Sequence, residues 1–124
     1  MAGALDGITV ADFSRVLAGP YATMMLADLG ARVIKVERPG AGDDTRAWGP
    51  PFAPDGQSTY FHSVNRNKES VALDLKDATD SERALSIAAS CDVMIENFLP
   101  GAMARDKSRR HLLLDHRVWF WRRV

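Results

Sequence analysis

Along residues 7–96, short runs of β-branched and apolar residues alternate with stretches of helix formers, the rhythm of a strand–helix–strand protein. Gly7 to Phe13 (GITVADF) predicts a first strand, introduced by the Asp6-Gly7 turn. Ser14 to Gly19 follows as a loop. Pro20 suits the first position of a helix, Tyr21 to Leu29 (YATMMLADL) is rich in helix formers, and Gly30 is placed to end the helix in a left-handed conformation. Residues 31–37 return as a second strand. There Val33, Ile34 and Val36 are apolar while Lys35 and Glu37 interrupt them, as expected near the ligand-facing end of an α/β sheet. A strand, a helix of about ten residues and a second strand make a βαβ unit, for which a right-handed crossover and a parallel pair are expected.

From Pro39 to Ser58, Gly40, Gly42, Pro50, Pro51, Pro54 and Gly56 exclude any long regular element. Long loops in compact domains often carry function. Thr59 to Val64 reads as either a short strand or a short helix, and Ser70 to Leu75 alternates as a third strand. Thr79-Asp80-Ser81-Glu82 has the form of a capping box opening a helix that runs through Ala89. Cys91 to Glu96 gives a fourth strand, closed by Asn97 to Gly101. The expected fold class is α/β, a Rossmann-like, doubly wound, mainly parallel sheet truncated after about four strands.

Composition narrows the function classes. A chain of 124 residues with 46% hydrophobic and 26% charged residues is one small globular domain or part of a larger one. Zero formal net charge gives no electrostatic case for nucleic acid, and no run approaches the roughly 18 apolar residues of a membrane span. A single cysteine, Cys91, excludes an internal disulfide framework and fits a reducing compartment. The start, MAGALDGITV, has neither a basic-hydrophobic signal nor an Arg/Ser-rich transit segment, so a cytoplasmic location is expected. Residues 1–104 hold nine Lys/Arg against fourteen Asp/Glu, a balance of −5. Residues 105–124 hold seven against two, a balance of +5, together with Trp119 and Trp121. That contrast divides the chain into an N-terminal domain, 1–104, and an atypical basic tail, 105–124.

Polar residues gather just after the predicted strands: Arg15, Arg38, Lys76 and Asn97. In a parallel sheet these positions share one edge, which would bring three cations together as a phosphate-binding arrangement. Any one of them alone reads as a solvated charge; the four together point to an anionic ligand. The helix beginning at Pro20 could also turn backbone N–H groups toward an anion. Arg15-Val16-Leu17-Ala18-Gly19-Pro20 has neither the G-x-G-x-x-G dinucleotide fingerprint nor the Walker lysine. Pro39-Gly40-Ala41-Gly42 reads as a turn, Trp48 as a loop packing residue, and His62 as a buried, hydrogen-bonded histidine without a neighbouring nucleophile. Asp43 and Asp44 read as solvated loop carboxylates in preference to an acid–base or metal-binding pair. Metal-ligand spacing is absent.

Taken together, LDGITVADFSRVLAGPYATMMLADLGA, VIKVERPGAGDDTRAWGPPF, YFHSVNRNKESVALDL and CDVMIENFLPGAMAR resemble the N-terminal part of the family III CoA-transferases, the CaiB/BaiF type, over residues 4–105. The GDDTR-x-WGPPF form is similar to that of members handling dicarboxylic acids such as succinate or glutarate. The resemblance implies that CoA lies across the C-terminal edge of the sheet against Arg15, Val16, Leu17, Ala18, Arg38, Leu73, Lys76, Asn97, Phe98 and Arg105. Arg38 would serve the adenosine end, Leu73 and Lys76 the same nucleotide part, and Asn97 and Phe98 the pantetheine arm. It implies CoA and acyl-CoA as substrates with no permanently bound cofactor, a small carboxylic acid as the other partner, no nucleic acid or membrane, and interlocked homodimers.

The family mechanism is nucleophilic catalysis by an aspartate that forms a mixed anhydride and then an aspartyl-CoA thioester. None of Asp12, Asp43, Asp44 or Asp92 matches that aspartate, so no catalytic residue is assigned. Two alternatives stand beside the transferase: an α-methylacyl-CoA racemase-like member of the same fold, and a non-catalytic CoA- or nucleotide-binding module. After Arg105 the text DKSRRHLLLDHRVWFWRRV departs from the family pattern, as a shifted reading frame would make it, although Leu112 to Leu114 also suits a short packed helix. The small second domain of the family and the chain interlocking of its dimers are therefore expected to be absent, and the truncated chain to be inactive alone.

Overall fold

The structure, a computed structural model, describes residues 2–99. In chain order it contains β1 (Thr9–Asp12), α1 (Ala18–Asp28), β2 (Arg32–Glu37), a 3-10 turn (Asp44–Ala47), α2 (Thr59–Asn65), β3 (Lys68–Ala72), α3 (Ala78–Ser90) and β4 (Val93–Ile95). The strands form one sheet in the order β3-β2-β1-β4, with every pair parallel. The chain walks outward from β1 to β3 and then returns to place β4 on the other side of β1. That reversal is the topological switch point at which open α/β sheets bind ligands.

Side chains alternate across each strand, so one strand feeds two cores. On one face Val10, Val33 and Ile95 pack with Ala27 of α1 and with Ala31. On the other, Ala11, Phe13, Val36 and Met94 pack against Ala84 and Ala88 of α3. Helices thus cover both faces, giving the doubly wound α/β architecture. No helix among the described residues is long and apolar enough to cross a membrane.

The connection from α1 to β2 is set by Gly30. Its φ of 104° is a conformation that a side chain disfavours, and it lets the Gly30 amide donate to the Ala27 carbonyl at 3.0 Å and the Ala31 amide to the Leu26 carbonyl at 3.0 Å. These two bonds form a Schellman stop, which turns the chain directly into β2.

Several boundaries differ from the sequence expectation. Helix α1 starts at Ala18, two residues before Pro20, because a proline without an N–H is tolerated anywhere in a first turn that has no bond to make. The segment at Thr59 is a helix: Ser58 caps the Tyr60 amide at 3.1 Å, and Phe61 and Val64, three apart, are both buried. The expected capping box at Thr79 is corrected. Asp77 is the cap and accepts from the Asp80 amide at 3.0 Å, so Thr79 already lies inside α3. Strand β3 runs from Lys68 to Ala72 instead of Ser70 to Leu75, since its ladder begins where Lys68 pairs with Val33 and ends where Ala72 pairs with Glu37.

Candidate functional site

Beyond the C-terminal ends of the strands, the turns that follow them enclose a cleft of about 550 Å³. Its apolar walls include Phe13, Val36, Leu73 and Phe98, its cations are Arg15, Lys35, Arg38 and Lys76, and Glu37, Asp43 and Asp74 line it as well. The walls are continuous with the α3-side core, to which Phe13, Val36 and Leu73 also belong. The site is therefore the open end of the hydrophobic layer.

Each cation is held differently. The Asn97 side chain grips the Arg15 backbone from both sides, accepting from its N–H at 2.9 Å and donating to its carbonyl at 2.7 Å. The Arg15 guanidinium lies 5.6 Å from the Phe98 ring centre, a cation–π contact at the cleft wall. Arg38 donates from Nε to the Gly42 carbonyl at 3.1 Å and pairs with the Asp44 carboxylate through Nη2, so its guanidinium is braced across its own turn. Lys76 sits in the turn before α3, where the Asp74 carboxylate accepts from its amide at 2.9 Å. The Lys76 ammonium has no partner among the described residues.

Of the residues expected to contact a ligand, Arg15, Arg38, Leu73, Lys76 and Phe98 line the cleft, and Asn97 stands behind Arg15. Val16, Leu17 and Ala18 are not among the lining residues: the Val16 amide points to the Asp43 carboxylate, and exposed Leu17 and Ala18 begin α1. Arg105 and the tail lie outside the described residues.

Beneath the polar side of the cleft, the α1-facing side of the sheet changes from apolar to ionic. Lys35 is 2% exposed and pairs with the fully buried Asp43 carboxylate at 2.9 Å, while also donating to the Ser14 carbonyl at 2.8 Å. Lys68 pairs with Asp12 at 3.1 Å and donates to the Pro20 carbonyl and the Asn65 side chain, each at 2.9 Å. Asp12 further accepts from Thr23 Oγ1 at 2.6 Å and the Ser14 amide at 2.9 Å. Arg46 clasps Glu37 with two bonds of 2.8 and 2.6 Å, and its guanidinium lies 3.8 Å from the Phe61 ring centre. The turn between these partners requires Gly42. Its φ is 66°, and an added Cβ would come within 2.7 Å of Glu37 Oε2 and the Arg46 side chain.

These pairings move the titrations. Burial pushes the Glu37 carboxyl up, but bonds from Arg46, the Ser70 hydroxyl and the Asp43 amide outweigh it and hold the group at about 2. Burial acts in the same direction on Asp43, yet the Thr45 amide and the Lys35 ammonium bring it below the usual carboxylate range. Burial lowers Lys68 to about 8 against the pull of Asp12.

The expectation that Asp43 is solvated is thereby overturned: it is 1% exposed and shared by two loops. Asp44 is exposed and paired with Arg38. His62 is half exposed, at 45%, with its Nε2 3.0 Å from the exposed Asp55, so it is not the buried histidine expected. Trp48 is 48% exposed, with its ring 5.4 Å from Tyr60 at the edge of a second, more open groove. The sequence reading did not pick out the ionic layer, although one signal was present. Asp12 lies two after Val10, and Lys35 and Glu37 lie two and four after Val33, so all share the face of buried valines. Among the described residues no group of three His, Cys, Asp or Glu side chains could hold a metal ion.

The family model of CoA-transferase family III matches residues 5–113. Succinyl-CoA:glutarate CoA-transferase of Mus musculus is 59% identical over 100 residues, which are 81% of this chain and 23% of that protein. Acetyl-CoA:oxalate CoA-transferase of Acetobacter aceti is 52% identical over 103 residues, 83% of this chain and 26% of that protein. Among solved structures, a CaiB/BaiF family protein from Brucella suis has a TM-score of 0.80 and 44% identity over 85% of this chain and 28% of its own. A hypothetical protein from Mycobacterium tuberculosis has a TM-score of 0.81 and 37% identity over 98% of this chain and 32% of its own. The chain spans about a quarter of the length of the curated relatives it matches.

Proposed function

This chain belongs to CoA-transferase family III, and from that premise we propose that its cleft binds coenzyme A and forms the CoA-binding part of an enzyme moving CoA between an acyl-CoA and a carboxylic acid. The observation that carries the reading is the convergence of Arg15, Arg38 and Lys76 on one cleft that also presents the apolar walls Phe13, Val36, Leu73 and Phe98. CoA carries a pyrophosphate and a 3′-phosphate, which call for cations, and a pantetheine arm, which calls for apolar walls and a few hydrogen bonds. Arg38, braced by Gly42 and Asp44, presents a guanidinium whose orientation is fixed before any ligand arrives, reducing the ordering cost of binding. Arg38, Leu73 and Lys76 take the nucleotide end, while Asn97 and Phe98 flank the arm. CoA is a substrate in this reading, with no resident cofactor.

The relatives named for succinyl, glutarate, acetyl and oxalate groups support a dicarboxylic acid as acceptor. They also support transfer over racemisation. We assign no catalytic residue: Asp12 is buried in an ion pair beneath the cleft, Asp43 is held by Lys35 at the cleft lining, and Asp44 is bound to Arg38. We place the protein in the cytoplasm.

Titration calorimetry with CoA tests the reading. Wild type is expected to bind, and Arg38→Ala to weaken binding by about 1–3 kcal/mol, the loss of a charge-assisted contact. No heat from the wild type, or equal affinity in the variant, contradicts it.

A further inference from the structure

Within the ionic layer the Asp43 carboxylate touches both ligand-bearing turns. From its own turn, after β2, it accepts from the Thr45 amide at 3.0 Å and the Thr45 hydroxyl at 2.8 Å. Across the sheet edge it meets the Val16 amide at 3.3 Å, in the turn after β1 that carries Arg15. Lys35, which neutralises it, binds the Ser14 carbonyl of that same turn. The turn needs such a tie because Val16 has a φ of 72°, in the left-handed region that a β-branched residue disfavours. Conformations of that kind persist only where the surroundings over-determine them. Asn97 fixes the residue before it, and Asp43 fixes its own amide.

We propose that Asp43 is a positioning residue for the cleft: its carboxylate, paired with Lys35, locks the Arg15–Val16 turn to the Arg38–Gly42 turn and so sets the spacing of the two guanidinium groups. The role rests on the CoA reading of the cleft. Asp43 belongs to the cleft lining but is 1% exposed, and its carboxylate is engaged by the two turns. A carboxylate is required because one oxygen is taken by Thr45 while the other serves Lys35, and the pair together faces the Val16 N–H. An amide at this position puts a donor where two donors already point.

Asp43→Asn alone leaves a buried ammonium without its counter-charge, so the test uses the double variant Lys35→Met with Asp43→Asn, which removes both charges together. In the full chain, amide hydrogen exchange reads the tie and CoA calorimetry reads its consequence. In the double variant the Val16 amide is expected to exchange at least about tenfold faster while β1 and β2 amides keep their protection, and CoA affinity to fall about tenfold. Unchanged protection of Val16 overturns the tie. A released Val16 amide with CoA affinity within about twofold of wild type overturns the positioning role. Loss of protection throughout β1 and β2 assigns the pair to the core and overturns it as well. If the wild type takes no CoA, the proposed function and this role fall together, whereas binding by wild type and variant alike removes this role alone.

Discussion

The two faces of this sheet meet the same strands with opposite chemistry. Toward α3, Ala11, Phe13, Val36 and Met94 form a dry apolar layer. Toward α1, the layer begins with Val10 and Val33 and then turns ionic at Asp12, Lys35, Glu37 and Lys68. The apolar face tolerates any partner of fitting shape, because dispersion and hydrophobic burial are non-directional. The ionic face does not. Each buried charge must find its counter-charge and its remaining hydrogen bonds, so it fixes where the loops after β1 and β2 can lie. One face holds the fold together, and the other sets the geometry of the cleft above it.

The sharpest way to break the contrast is to remove one charge. Lys35→Met leaves the Asp43 carboxylate buried without its ammonium, and is expected to cost about 3–5 kcal/mol in denaturant unfolding. On the other face, Met94→Ala deletes apolar volume between the sheet and α3 and is expected to cost about 2–4 kcal/mol by the same assay, with CoA affinity unchanged.

The pH dependence sharpens the contrast, because the ionic face carries Glu37 and Lys68, whose titrations are strongly displaced. Glu37, at about 2 when folded against an ordinary value of 4.5, stabilises the fold above the ordinary value, and that contribution is lost as pH falls through 4.5 toward 2. Lys68, at about 8 when folded against 10.5, gives a slope of the same sign at the alkaline end. Between those values the unfolded chain binds more protons, so its contribution to stability rises with pH. Denaturant midpoints measured across both windows should flatten at the acid end in Glu37→Gln and at the alkaline end in Lys68→Met. The smallest effect belongs to the solvent. Arg32 and Glu69, 60% and 58% exposed, form a bidentate pair between β2 and the edge strand β3, and Arg32→Ala should change stability by less than about 1 kcal/mol.

The apolar half of the molecule was legible in the sequence because periodicity records it. Val33 and Val36 mark a strand wherever their partners lie, and Gly30 marks the stop before it. The α/β class, its parallel order and the gathering of Arg15, Arg38 and Lys76 at one edge follow from that alternation. Strand β3 was misplaced because the alternation of Val71, Leu73 and Leu75 runs on past the end of the ladder at Ala72, while the pairing of Lys68 with Val33 sets where the strand begins. The cap of α3 was misplaced because Asp77 and Thr79 each stand three before an acidic residue, and Asp77 takes the Asp80 amide. The ionic layer was harder to read. A charge in the sequence does not name its partner, and Lys35 meets Asp43 only because Gly40 and Gly42, both at positive φ, fold the intervening turn back over the sheet end.

The claim at the centre of this account is that CoA occupies the cleft at the strand ends. Backbone amide chemical shifts recorded during a CoA titration test it most directly. Saturable shifts are expected at Arg15, Arg38, Leu73, Lys76 and Phe98, with little change at the groove formed by Trp48 and Tyr60. Shifts centred on Trp48 and Tyr60, or none at saturating CoA, would contradict it.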